Sequence, residues 1–124
     1  MPLVSELMTR GVRAVSPHTS TQAAAQAMDA WELAAVPVCE DGKLVGLVTA
    51  RDLAVRAVAR GLPSTTPVGS VMTVDPYWCF EDQLFDEVLS TIDRRAPRRI
   101  PVVDRARRLV GMLSLGDGVA GGGA

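Results

Sequence analysis

The sequence has few of the residues that build disulfide-rich, metal-binding or membrane-anchored proteins. Its 124 residues include two cysteines, one histidine, two tryptophans, two phenylalanines and one tyrosine. Two cysteines do not make a disulfide framework, which indicates a reducing, cytoplasmic setting. No stretch approaches the roughly 20 apolar residues of a membrane span. Acidic Glu6 near the N-terminus, with no long apolar run, argues against a signal peptide.

The bulk composition is that of an ordinary soluble domain with a core. A hydrophobic fraction of 48% and a charged fraction of 22% suit a globular chain of this length. The net charge of −1 gives the chain as a whole no bias towards polyanions. We therefore expect one module spanning residues 1–124.

An internal repeat is the most informative feature of the chain. Residues 4–9 (Val-Ser-Glu-Leu-Met-Thr) match residues 68–73 (Val-Gly-Ser-Val-Met-Thr), and Pro37 matches Pro101. The match continues through residues 46–52 and 111–117 after a turn that is one residue longer in the second copy. The predicted organisation is repeat 1 at about 4–61, linker at 62–67, repeat 2 at about 68–117, and flexible glycine-rich tail at 118–124.

Each repeat has the pattern of a β-α-β-β-α unit. In repeat 1, residues 11–15 predict a strand, Ser20 or Thr19 an N-cap, residues 34–48 a hairpin turning at Gly42, and residues 50–60 a helix. Repeat 2 begins with a strand at 77–80 and lacks residues that sustain a last helix. The predicted fold is α+β: tandem pseudo-two-fold repeats with two small sheets covered by helices.

The end of the first hairpin carries the sharpest candidate site, Gly46-Leu-Val-Thr-Ala-Arg-Asp52. A strand that passes into a helix offers backbone N–H groups to phosphate, and the Thr49 hydroxyl can donate a further hydrogen bond. The Asp52 carboxylate suits the vicinal hydroxyls of a ribose. Thr-x-x-Asp is also a helix capping box, which on spacing alone is the more common explanation.

The second copy of this motif favours the ligand interpretation. Ser114 and Asp117 keep the hydroxyl and the carboxylate, but glycine-rich sequence follows them. Because that segment is a poor helix former, a capping box there has little to cap.

The other chemistry-bearing residues give weaker signals. Seven of the 13 basic residues lie between Arg94 and Arg108, where Arg98 or Arg99 could bind an anion with a bidentate fork. Acidic residues of the preceding helix balance most of that patch, which makes nucleic-acid binding a low-ranked alternative. The lone His18 has no metal-ligand spacing, and no nucleophile elbow or Gly-rich phosphate loop is present. We expect no enzyme activity and no metal.

The two Met-Thr openings, the Pro37 and Pro101 strands and the two Thr/Ser-x-x-Asp endings resemble one known family over nearly the whole chain. This family is the cystathionine-β-synthase (CBS) domain pair, or Bateman module, in its small stand-alone form. The resemblance implies binding of an adenosine ligand in clefts between the repeats, and a homodimer formed through the helices. The lost last helix of repeat 2 departs from the family pattern and affects that dimer surface.

The resemblance also implies roles for individual residues. The motif Asp would hold the ribose and the motif Thr or Ser would contact phosphate or ribose. An Arg two residues before the Pro would face phosphate; repeat 1 has Ala35 there. The nucleotide-binding set is then Thr49, Arg51, Asp52, Arg99, Ser114 and Asp117, and the residues near the base are Val12, Pro37, Cys79 and Pro101.

The leading hypothesis is therefore a non-catalytic regulatory module for AMP, ADP or ATP, with S-adenosylmethionine also to be tested. Adenine nucleotide is a ligand here, and no cofactor is required. The alternative is a CBS scaffold without ligand that serves dimerisation or binds an unidentified protein partner.

Overall fold

A computed structural model describes residues 1–74, 76–92 and 98–115. The described residues pack as two compact units. The continuous unit contains residues 13–76, and the composite unit contains residues 1–12 with residues from 77 onward. Both units mix helices with a small sheet, as the sequence predicts. The flexible tail predicted at 118–124 lies outside the described residues.

In the continuous unit, a helix packs on a hairpin. Helix α2 (Thr21–Trp31) begins after Ser20, whose side chain accepts a hydrogen bond from the Ala23 amide, so the N-cap prediction is confirmed at Ser20. Strands β1 (Ala35–Glu40) and β2 (Lys43–Thr49) are antiparallel. Their two-residue turn has positive φ at Asp41 and Gly42, the geometry that fits the right-handed twist of the strands.

The helix that follows β2 is not the regular α-helix expected over 50–60. It begins as α3 (Ala50–Asp52), continues as a π-helix (Leu53–Val58) and ends near Gly61, whose φ of 69° is typical of a glycine that ends a helix. A 3-10 turn (Val68–Ser70) lies further along. The core of this unit is formed by apolar residues of helix α2, both strands, the π-helix, the 3-10 turn and the residue after it: Ala24, Met28, Val36, Val38, Val48, Leu53, Ala57, Val68 and Val71.

The composite unit contains a three-stranded sheet in the order β3-β4-β5. Strand β3 (Cys79–Phe80) pairs in parallel with β4 (Arg99–Val103), which pairs antiparallel with β5 (Leu109–Ser114). Helices α1 (Val4–Leu7) and α4 (Phe85–Thr91) complete it. Its core consists of Val4, Met8, Cys79, Val88, Ile100, Val102, Leu113 and Leu115. Both predicted hairpins are thus present.

Two predicted first strands are shorter in the structure. In residues 11–15 only Val15 forms a bridge, in parallel with Val38, and Gly11 has a positive φ of 70° that interrupts an extended strand. In residues 77–80 only Cys79 and Phe80 are paired. The first residues of both segments look strand-like because they are apolar, but they have no backbone partner in a ladder.

The opening segment of each sequence repeat is hydrogen-bonded to the hairpin of the other repeat. Thr9 exchanges two backbone hydrogen bonds with Met112 of β5, at 2.8 and 3.0 Å. Thr73 does the same with Leu47 of β2, at 2.8 and 3.0 Å. The Met-Thr segment that begins repeat 1 by sequence therefore packs on the hairpin of repeat 2, and the reverse. Sequence repeats and packing units are different divisions of this chain.

Candidate functional site

The Thr49-x-x-Asp52 motif forms a complete capping box. The Thr49 amide donates to Asp52 Oδ2 at 3.0 Å, and the Asp52 amide donates to Thr49 Oγ1 at 2.9 Å. The Ala50 amide donates to the Ala34 carbonyl at 2.8 Å. These three N–H groups at the start of the helix are therefore used within the protein rather than being free for phosphate. The Thr49 hydroxyl accepts in this arrangement, and its own hydrogen remains free to be donated.

The Asp52 carboxylate has partners beyond the capping box. Thr73 Oγ1 lies 3.2 Å from Oδ2 and 3.5 Å from Oδ1, and it is the donor to the carboxylate. Arg56 Nε lies 3.7 Å from Oδ1, and Arg56 Nη1 donates to the Met72 carbonyl at 3.3 Å. Asp52 is only 7% exposed. A buried carboxylate requires such donors, because an unpaired one would be costly.

Sequence reasoning missed Thr73 and Arg56 at this site. The signal for Thr73 was present, because Met72-Thr73 repeats Met8-Thr9. Its link to Asp52 depends on the exchanged packing, which similarity between the repeats does not show. Arg56 follows Asp52 at the i, i+4 spacing that brings side chains together on a helix.

In the second copy, the strand register places Arg99 directly opposite Ser114. Side chains of directly opposed residues lie on the same face with their Cβ atoms about 5 Å apart. Ser114 is exposed and Arg99 is half-buried. The same register in the first copy places Ala35 opposite Thr49, so the corresponding position carries no charge.

The remaining predicted residues are spread between surface and core. Arg51 is exposed and Val12 is half-buried. The three other residues expected near the base, Pro37, Cys79 and Pro101, are buried. Asp117 lies outside the described residues.

The basic cluster of the composite unit is paired with acids and aromatic rings. Arg105 makes a bidentate contact with Asp82 at 2.7 and 2.8 Å, and this hydrogen bonding lowers the pKa of the Asp82 carboxyl. The Arg105 guanidinium also lies 3.9 Å from the centre of the Phe80 ring, and Arg107 lies 4.2 Å from that of Trp78. The prediction that acidic residues balance much of this patch is confirmed for Arg105. Arg94 and Arg95 lie outside the described residues.

Metal-ligating and thiol groups are scattered. The exposed His18 has its Nε2 atom 3.4 Å from a Glu40 carboxylate oxygen. Within the described ranges, no three His, Cys, Asp or Glu side chains converge as they would around a metal ion. Burial raises the pKa of the Cys79 thiol to about 11 and raises that of Cys39 as well. No helix within these ranges is long and apolar enough to cross a membrane.

Comparison with known proteins identifies the repeats. A family model described as "CBS domain" matches residues 4–58 and 68–119. The chain is 36% identical over 117 residues to the CBS domain-containing protein YhcV of Bacillus subtilis, covering 94% of this chain and 83% of that protein.

Two solved structures with a similar fold hold different ligands. CBSX2 in complex with AMP superposes with a TM-score of 0.79 at 25% identity, covering 97% of this chain and 93% of that one. Hypoxic Response Protein I, with two coordinated zinc ions, superposes with a TM-score of 0.81 at 30% identity, covering 91% of this chain and 92% of that one.

Proposed function

The chain belongs to the CBS domain family as a tandem pair, and from this premise we propose that it is a non-catalytic regulatory module for an adenine nucleotide. The ligand class is AMP, ADP or ATP. The AMP complex of the similar CBSX2 structure supports this class. We place the module in the cytoplasm as a homodimer whose partner-binding surface responds to the ligand.

The observation that carries the proposal is the pairing of Arg99 with Ser114 across β4 and β5. A guanidinium and a hydroxyl on one face of a sheet supply charge-assisted and neutral donors to the same phosphate. Ser114 is exposed, so its hydroxyl is accessible to a ligand. Core packing does not explain this pair, because a guanidinium and a hydroxyl in the core would both need internal hydrogen-bond partners.

Within this proposal each motif residue contacts a particular part of the nucleotide. The Thr49 and Ser114 hydroxyls donate hydrogen bonds to phosphate or ribose. The Asp52 and Asp117 carboxylates accept hydrogen bonds from the ribose hydroxyls, and Arg51 contributes a positive charge at the surface. The base lies near Val12 and Pro37 in the first copy, and near Cys79 and Pro101 in the second. Since Pro37, Cys79 and Pro101 are buried, Val12 is the one of these four whose side chain is partly exposed to a base.

The two copies are proposed to differ in affinity for phosphate. The second copy has Arg99 where the first has Ala35, so a nucleotide monophosphate favours the second copy. Replacing Asp117 by Ala should abolish the tighter AMP site, while Asp52→Ala should leave it. Calorimetric titration of both variants with AMP measures this difference. Equal AMP affinity in the two variants would contradict the assignment of sites.

A second candidate function is a ligand-free scaffold for dimerisation or protein interaction. The internal pairing of Asp52 Oδ2 favours it, since this carboxylate oxygen already accepts from the Thr49 amide and the Thr73 hydroxyl. The exposed apolar residues of the π-helix, Val55 and Val58, would suit a protein contact. Size-exclusion chromatography with and without AMP separates the two functions, because the scaffold predicts the same elution volume in both.

A further inference from the structure

We propose that Thr73 is a positioning residue for the first copy of the site. Its hydroxyl locks the Asp52 carboxylate so that Oδ1 is the oxygen presented to a ribose hydroxyl. This inference rests on the proposed nucleotide function and names how the first copy recognises the sugar.

The two carboxylate oxygens of Asp52 are used unequally. Oδ2 accepts from the Thr49 amide at 3.0 Å and from the Thr73 hydroxyl at 3.2 Å. Among the described residues, the contacts of Oδ1 are longer, at 3.5 Å to Thr73 and 3.7 Å to Arg56 Nε. Each carboxylate oxygen has two lone-pair directions. Oδ2 is therefore saturated, while Oδ1 retains acceptor capacity for a ligand.

Arg56 contacts Oδ1 but leaves this oxygen able to accept a hydrogen bond from a ligand. Its side chain is about half exposed, with a relative accessibility of 47%, against 9% for that of Asp52. Water can therefore solvate the Arg56 guanidinium if it leaves Oδ1, whereas the buried carboxylate still needs a donor in its place. A ribose hydroxyl can therefore share or replace the Arg56 contact at Oδ1 at small cost.

The position of Thr73 is itself fixed by close backbone packing. Its amide and carbonyl both bond to Leu47. A Cβ atom added at Gly46 would lie 2.9 Å from the Thr73 carbonyl oxygen and 2.6 Å from Met72 Sδ. Residue 46 must be glycine for the 72–73 segment to approach this closely, and this approach brings the Thr73 hydroxyl to Asp52.

A lock of this kind has a measurable consequence for sugar recognition. The terminal torsion of an Asp side chain is broad, and the Thr73 hydroxyl is one of two donors that restrict it at Asp52. Removing the hydroxyl leaves the Thr49 amide as the remaining donor to Oδ2, so the carboxylate is less firmly oriented and the contacts that Asp52 makes are weakened. The loss of affinity should therefore occur only for ligands that carry ribose hydroxyls. A general loss of structure would weaken binding of ligands with and without these hydroxyls alike.

The test uses the Asp117→Ala background, which leaves the first copy as the site to be titrated. Adenosine and 2′,3′-dideoxyadenosine are titrated calorimetrically into this protein with and without Thr73→Val. We expect Thr73→Val to weaken adenosine binding about tenfold, because the ribose hydroxyls lose a well-oriented charged acceptor, and to leave binding of the dideoxy compound unchanged. Thr73→Ser should restore adenosine binding.

The matched control is Thr9→Val, which removes the equivalent hydroxyl of the other Met-Thr segment and should not affect adenosine binding to the first copy. Equal loss for both compounds, or no loss for either, would overturn the positioning role. Absence of adenosine binding in the Asp117→Ala protein, when the unmodified chain binds AMP, would overturn this inference alone. Absence of AMP binding by the unmodified chain would overturn the proposed function itself.

Discussion

At the scale of single residues, the two copies of the motif have different partners for their polar groups. Asp52 is buried and bonded within the protein, whereas Ser114 is exposed and lies opposite Arg99. A polar group that is satisfied internally stabilises the fold, and one that faces solvent is available to a ligand. The second copy is accordingly the better candidate for binding phosphate. In the first copy, hydrogen bonds within the protein already orient the Asp52 carboxylate.

Replacing Arg99 by Ala should weaken AMP binding at least tenfold and leave adenosine binding nearly unchanged. The reason is that the guanidinium is expected to contact the phosphate, which adenosine lacks. Calorimetric titration of both ligands gives the two affinities. Arg60→Ala, at an exposed position on the same chain, is the control for loss of one positive charge. A similar loss for both ligands would show that Arg99 acts on the fold rather than on phosphate.

The Cys79 thiol should be almost unreactive at pH 8 in the folded protein. Burial raises its pKa to about 11, so very little thiolate, the nucleophilic form, is present. Since the folded state holds this proton more tightly than the unfolded state, stability should fall as the pH rises from about 9 towards 11. Alkylation rates of a Cys39→Ser variant, with and without urea, report on Cys79 alone. Rapid alkylation of the native variant at pH 8 would refute this.

At the scale of secondary-structure elements, local signals were predictable and long-range ones were not. The hairpins follow from turn chemistry at Gly42 and from apolar runs, and the Ser20 cap follows from a side chain three residues before its donor. The π-helix at Leu53–Val58 has no sequence signature, because the same residues would suit an α-helix. Strand pairing of residues 11–15 could not be predicted because it depends on partners elsewhere in the chain.

Close approach of the Met-Thr segments to the hairpins should make Gly46 and Gly111 intolerant of alanine. The added Cβ would lie 2.9 and 2.8 Å from the Thr73 and Thr9 carbonyl oxygens, respectively. Backbone cannot move away as a flexible side chain can, so we expect each substitution to cost about 1–3 kcal/mol of unfolding free energy. Urea denaturation measures the cost.

Gly69 provides the graded control, since its nearest neighbour, the Pro17 carbonyl oxygen, would be 3.1 Å away. Gly69→Ala should therefore cost less than Gly46→Ala. A larger loss of unfolding free energy for Gly69→Ala than for Gly46→Ala would show that close contacts at the hairpins do not determine the cost of these substitutions.

At the scale of the whole molecule, the exchange of opening segments explains which parts of the site were visible in the sequence. The spacing of Thr49 and Asp52 lies within one motif and could be found directly. The contribution of Thr73 could not, because repeat similarity is equally consistent with the Met-Thr segments packing on their own hairpins. The bridges from Thr9 to Met112 and from Thr73 to Leu47 distinguish the two arrangements.

The same exchange makes each hairpin depend on a segment that belongs to the other sequence repeat. A ligand held by the Thr49–Asp52 motif is therefore coupled to the residues around Thr73, through the hydroxyl bonded to Asp52. This provides a physical route by which occupancy of a motif could affect parts of the chain outside its own repeat.

The most direct test of nucleotide binding is isothermal calorimetry of the unmodified chain with AMP, ADP, ATP and S-adenosylmethionine, each up to millimolar concentration. If the module binds an adenine nucleotide, we expect saturable heat with at least one of them, and AMP binding that Asp117→Ala abolishes at the tighter site. No heat with any of the four ligands would contradict it, and would leave the ligand-free scaffold as the function of this module.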